Sequence, residues 1–297
     1  MKKILFVSIF LLIAITVNAH YFSHAGSASV IFSNEPPLAG VEQRMQIHIE
    51  NSTGDAFSIG HEKYFHAIII GQDLETFTHT HPDNFPGGLD KMDQGTFTLN
   101  HTFPKAGTYK LLFDYELHDE PTSEQLNVDV AGDEYLPNAT PTFERELSIN
   151  DYTVTLNAPE FFAGEESQLT YRIQKDGKDV NDLQMHLGTE MHVVIIDTNL
   201  ENAFHTHAAM PESMEHHEGA QHHFGPTIPV ELTFSKPGTY AVFGDFRHDN
   251  TVVHTRFFIE ANETLAQKLK RSAPYIAVFC AFALALFAIY KLRKMFD

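Results

Sequence analysis

Between residues 27 and 261 the chain is built from short runs of alternating apolar and polar residues, broken repeatedly by Gly, Pro, Asn and Asp. A period of two puts successive side chains on opposite faces of an extended strand. In the first half this pattern predicts strands near 27–33, 43–50, 64–71, 75–81, 96–103, 107–116 and 124–130. Seven short strands without a convincing amphipathic helix point to an antiparallel β-sandwich. Two stretches abandon the alternation, an apolar run from Ile4 to Val17 and the segment Tyr275 to Tyr290, which is apolar throughout. The first follows Lys2-Lys3 and precedes Ala19, so residues 1–19 read as a secretory signal, with an uncleaved signal anchor as the alternative. The second, preceded by Ala273-Pro274 and followed by Lys291, Arg293 and Lys294, reaches the lower limit of about 17 residues for a spanning helix. Its alternatives are an interfacial helix or a removable tail.

The strand pattern occurs twice. Phe103-Pro-Lys-Ala-Gly-Thr-Tyr109 returns as Phe234-Ser-Lys-Pro-Gly-Thr-Tyr240, and Ala39-Gly40 as Ala163-Gly164. The fold class expected is therefore all-β: two tandem antiparallel sandwiches, Ig-like or cupredoxin-like, plus one C-terminal transmembrane helix. The expected boundaries are a first sandwich over 20–131, a linker over 132–144 and a second sandwich over 145–261. A juxtamembrane segment over 262–273, a membrane helix over 274–290 and a cytoplasmic tail over 291–297 follow. The second copy is five residues longer, and the extra residues fall between Ala208 and Thr227.

Composition narrows the chemistry. The formal charge of -19 makes a nucleic-acid partner unfavourable and suits cations. The one cysteine, Cys280, lies in the C-terminal apolar run, so the remainder has no disulfide and no thiolate metal site. No HExxH, phosphate loop or Ser-His-Asp arrangement is present, so an enzyme is not the expected reading.

All 19 histidines lie between His20 and His254, and some repeat in register. His66, His79 and His81 recur as His192, His205 and His207, each 126 residues on. Residues two apart on a strand share a face, so His79 and His81 point the same way. A turn centred on Gln72-Asp73 would set His66 opposite His79, bringing three imidazoles together, and the same arithmetic gathers the second set. Asp114 or His118 offers a fourth ligand in the first copy, and Asp245, with His248 nearby, in the second. Three imidazoles and an oxygen suit Cu(II) or Zn(II), whereas a thioether from Met191 or Met185 would favour Cu(I). The structural alternative is a polar cluster or a pH sensor. A second kind of site is the tract Met210, Met214, His216, His217, His222 and His223, which could collect copper weakly or be an acidic loop. Cleavage after Ala19 would expose His20 as an N-terminal copper chelate.

The run HAIIIGQDLETFTHTHPD followed by GTFTLNHTFPKAGTYKLLFDY resembles YtkA-like and CopC-related exported bacterial β-sandwiches. That resemblance covers both copies and implies copper handling by His66, His79, His81 and Asp114, with His192, His205, His207 and Asp245. The second copy departs from it with Ala208 where the first has Pro82. Pro-Gly-Thr-Tyr before a strand is also similar to cupredoxins, but Gly244 and Asp245 stand where a cysteine ligand would be needed, which excludes a type 1 site. The expected function is a membrane-anchored, extracytoplasmic protein that binds copper, or alternatively zinc, one site per repeat. Storage, delivery or tolerance would be its purpose, with a metallochaperone or transporter as partner. The alternatives are an adhesion or assembly module and a copper oxidase or oxygenase centred on His20.

Overall fold

The structure is a computed structural model that describes residues 28–50, 52, 56–59, 63–187, 189–208 and 225–296. The segment 1–19, His20 and the tract from Met210 to His223 lie outside the described residues.

The alternating runs fold as strands, in two copies. The first comprises β1 (Ala28–Phe32), β2 (Glu42–Ile49), β3 (Phe57–Ser58), β4 (Phe65–Gly71), β5 (Phe77–Thr80), β6 (Thr96–Thr102), β7 (Gly107–Leu117) and β8 (Glu120–Val130). A β1-β2-β6 sheet faces a sheet in which β4 and β8 flank β7, β5 edges β4 and β3 pairs with the end of β7. The second comprises β9 (Glu146–Ile149), β10 (Tyr152–Asn157), β11 (Phe161–Phe162), β12 (Glu166–Lys175), β13 (Lys178–Asp179), β14 (Met191–Asp197), β15 (Ala203–His207), β16 (Thr227–Thr233), β17 (Gly238–His248) and β18 (Thr251–Asn262). Its β18-β17-β14-β15 sheet repeats β8-β7-β4-β5, and β10-β12-β16 repeats β1-β2-β6. Among the described residues these strands pair antiparallel except at the short β11–β18 contact. Between each pair of sheets lies an apolar core, around Met45, Ile47, Phe65, Phe97, Leu111 and Phe113 in the first copy, and Val154, Tyr171, Val193, Val230, Val242 and Phe257 in the second. β8 begins at Glu120, four residues before the expected start, because His118 and Asp119 (φ 54° and 63°) close a two-residue hairpin with the positive dihedrals that suit strand twist.

Strands β4 and β14 are buried along their whole length, not on alternate residues. A strand covered on both faces needs a second partner, and here each copy supplies the other's. Phe65, Ala67 and Ile69 point into the first core, leaving Ile68 and Ile70 to face outward; Val194 and Ile196 do the same in the second copy. These outward faces meet in a third apolar cluster that also takes Leu74, Leu112, Leu200, Ala203, Ala241, Phe243 and Phe258. Phe77 stacks on Phe243 with ring centroids 4.6 Å apart.

Polar contacts rim this joint. Gln125 donates to the Ala203 carbonyl at 2.9 Å and accepts from the Ala203 amide at 3.0 Å. Arg256 donates to the Leu74 carbonyl at 2.7 Å. The two sandwiches are thus docked face to face.

After β18 a helix, α1 (Leu265–Phe296), begins at once. Thr264 Oγ1 accepts from the Gln267 amide and Gln267 Oε1 accepts from the Thr264 amide, a reciprocal cap that sets its start. Within residues 262–273 the helix starts at Leu265, and it continues past Pro274. Over Leu265–Ile289 it is long and apolar enough to cross a membrane, and none of that stretch is buried against the sandwiches. Gln267 Nε2 donates to the Ala163 carbonyl at 3.2 Å, tying the helix base to the second sandwich.

Candidate metal centre

The outward parity of β4 and β14 also carries His66 and His192, at one end of the joint. His66 pairs with Asp114 across β4–β7, and His192 pairs with Asp245 across β14–β17. On the other side of β14, His192 faces His207 and Val194 faces His205. In the first copy Ile68 faces His79 and Ala67 faces Thr80, a register that sets His81 beside His66. Here the structure corrects the expected hairpin, in which His66 opposed His79. The turn is longer, spanning Gly71 to Thr76, and centres on Asp73-Leu74, so the register slips by two residues. A slip of two preserves the face, whereas a slip of one would have dispersed the cluster.

Both expected triads form. His66 Nδ1 lies 3.2 Å from His79 Nε2 and 3.2 Å from His81 Nε2. His192 Nδ1 lies 2.8 Å from His205 Nε2, with the His207 ring 4.7 Å from that of His192 and 4.5 Å from that of His205. In each triad one ring nitrogen per histidine falls within 4.8 Å of the others, so each group could hold a metal ion. Ligands about 2.0–2.1 Å from a common ion sit about 2.9–3.4 Å apart; the 3.2 Å pairs of the first triad match that spacing and the 2.8 Å pair of the second falls just below it.

Tautomer assignment strengthens the second triad. His192 Nε2 is 3.0 Å from the His186 carbonyl and 3.2 Å from that of Leu187, so this nitrogen carries the hydrogen and donates it. His205 Nδ1 donates to Asp114 Oδ2 at 2.8 Å. With those outer bonds made, His192 Nδ1 and His205 Nε2 face each other at 2.8 Å, a separation that either a shared hydrogen or a metal ion between them would satisfy. Orienting a ligand histidine through its other nitrogen is how protein metal sites fix ring direction. Burial and the neighbouring imidazoles hold His79 well below the ordinary 6.5, take His81 down to about 3, and lower His192 further still. These rings are neutral at neutral pH, the form that binds metal.

The other expected ligands are placed differently. Asp114, foreseen as a fourth ligand of its own copy, gives Oδ2 to His205 of the other copy, while its buried Oδ1 has no hydrogen-bond partner. Asp245 accepts from His254 Nδ1 at 2.8 Å. His118 sits in the β7–β8 turn and not on the face of Asp114, and its amide bonds the Ala56 carbonyl. His248 bonds Tyr152 Oη at 2.8 Å and Asp182 at 3.1 Å, away from the triad. Met191 points inward and is fully buried in the second core, so it offers no thioether to the histidine face. The sequence reading missed the carbonyls of His186 and Leu187, the role of His254, and the crossing of Asp114 between copies. His254 was visible in principle, because it occupies the position that Ser123 holds in the first copy.

No curated protein matches the chain in sequence. Among solved structures, the three N-terminal domains of the bacteriophage RB49 outer capsid protein Hoc align over 80% of this chain at 14% identity and a TM-score of 0.19. The chain spans 59% of that structure. Bovine butyrophilin aligns over 78% of this chain and 98% of its own at 13% identity and a TM-score of 0.21. Scores this low carry nothing about function. Residues 23–132 and 147–263 each match one family, described as a domain of unknown function, DUF8832. With both sandwiches matched, the chain belongs to that family and carries its domain twice.

Proposed function

We propose that this chain is a membrane-anchored, extracytoplasmic metal-binding protein that handles copper, for storage, delivery or tolerance. The observation that carries this reading is the convergence of three imidazoles in each copy, every triad offering one ring nitrogen per histidine within 4.8 Å of the others, with His192 and His205 each held by an acceptor on its far side. All-nitrogen donors suit Cu(II) or Zn(II), and among divalent first-row ions affinity peaks at Cu(II). The sole cysteine is in the C-terminal helix, which leaves imidazole as the donor. The apolar run after Lys2-Lys3 supports export, the C-terminal helix long and apolar enough to cross a membrane supports anchoring, and a metallochaperone or transporter in the same membrane is the partner such a protein would need.

Metal retention tests the reading. Full-length protein in detergent micelles, loaded with Cu(II) or Zn(II) and dialysed, is expected to keep metal and to melt at a higher temperature than the metal-free protein. Protein that keeps neither ion and shows no thermal shift would overturn it.

A further inference from the structure

We infer that the two triads are one paired metal centre built across the joint, holding two ions in a common pocket. This rests on the metal-binding reading above and adds what the separate triads do not require: that the sites are neighbours by construction.

Ring positions carry the inference. Within a triad the imidazole centroids are 4.5–5.4 Å apart. Between triads they are scarcely farther: His66 is 6.1 Å from His192 and 5.7 Å from His205, and His79 is 5.5 Å from each. Four rings, two from each copy, are therefore mutual neighbours. The solvent space is also shared, since one cleft of about 190 Å³ is lined by His66 and Asp114 of the first copy together with His205 and His207 of the second. Finally, Asp114 belongs to the first copy yet orients His205 of the second, so the second triad is complete only while the sandwiches are docked.

The joint supplies the rigidity such a centre needs. The apolar cluster from Ile68 to Phe258 and the Gln125 and Arg256 contacts fix the two β-sheets as one block. Charge balance points the same way. Six neutral imidazoles would meet two divalent ions with no negative charge of their own, and a buried net charge is costly unless paired. Asp114 and Asp245, on the histidine-bearing faces with side chains 18% and 4% exposed, supply part of the compensation. The cleft admits a small anion such as hydroxide for the rest.

Electron paramagnetic resonance of the full-length chain in detergent, saturated with Cu(II), tests the pairing. The expected result is two retained equivalents with a spectrum broadened by mutual interaction and a half-field transition. In the His79→Ala/His81→Ala variant one equivalent should remain, with a sharp isolated signal and no half-field line. The wild-type spectrum decides the matter even if that variant does not fold. Two retained equivalents whose sharp signals account for every spin would overturn the pairing, as would a single equivalent at saturation, and both leave the metal-binding reading intact. No retained copper would overturn the two together.

Discussion

Asp114 and Asp245 hold equivalent places on repeated strands, yet their carboxylates do different things. Asp114 faces Ser123 across β7–β8, and its Oδ2 is available to His205 of the other sandwich. Asp245 faces His254 across β17–β18 and is taken by that ring at 2.8 Å. The two triads are therefore unequal, with the carboxylate-oriented second triad the better ligand set. Outer partners of this kind are worth about 10–100-fold in metal affinity. Asp114→Asn should weaken the tighter class of copper binding by about that factor, without lowering the number of ions bound, in a competition titration. Conversely, His254→Ser restores the first copy's residue and releases Asp245, the counterpart of Asp114, to orient His79 of the first triad as Asp114 orients His205 of the second. The expected outcome is a rise of about 10-fold in the weaker class, bringing the two affinities closer. An unchanged titration in both variants would remove the carboxylates from the centre.

The strands themselves were legible, because β-branched and aromatic residues alternate with polar ones and the breaks are Gly, Pro, Asn and Asp. Their registry was less so. The β4–β5 turn is held by Asp73, whose carboxylate accepts from the Glu75 amide at 3.1 Å and the Thr76 amide at 2.9 Å, with Leu74 left-handed at φ 52°. A buried leucine in that region is uncommon, and no turn propensity announces it. Its reason lies in the other sandwich, since Leu74 and its counterpart Leu200 (φ 58°) both enter the apolar joint. Parity survived the misplaced turn, and parity is what the site depends on. Exchanging neighbours tests this directly: His79→Thr combined with Thr80→His keeps composition but turns the imidazole to the opposite face of β5. That double variant should lose one equivalent of copper while keeping the β-sheet circular dichroism of the wild type. Full retention of both ions would show that strand face does not select the ligands.

At the scale of the molecule, the docking of the two sandwiches was the part hidden from sequence. The signal was there in HAIII and HVVII, runs apolar on both parities where a sandwich strand should alternate, but such a run does not say what covers its second face. Phe243 is the ring to remove: Phe243→Ala empties the stack on Phe77 and should cost about 3–5 kcal/mol in denaturant unfolding, the usual range for a buried Phe→Ala. Because Asp114 reaches His205 only across this joint, the same variant should bind copper less tightly; tight binding with unchanged stability would place the joint elsewhere. The buried imidazoles add a dependence on acid. His79 is held well below 6.5, His81 at about 3 and His192 lower, while in the unfolded chain each returns to about 6.5. Between those values the unfolded chain binds protons that the folded chain refuses, so stability rises with pH there and falls on acidification. Buried His101, lowered to about 4, adds to the same trend, whereas His254, raised by its bond to Asp245, works in the opposite sense and is one histidine against four. Metal-free protein should therefore hold a level melting temperature above neutrality and lose it steadily below about pH 6.5, at up to about 1.4 kcal/mol per pH unit for each histidine. His81→Gln should make that decline shallower. A melting temperature that stays flat or rises between pH 7 and pH 5 would mean that these rings already carry protons in the folded state, and that the cluster is not the neutral ligand set its burial implies.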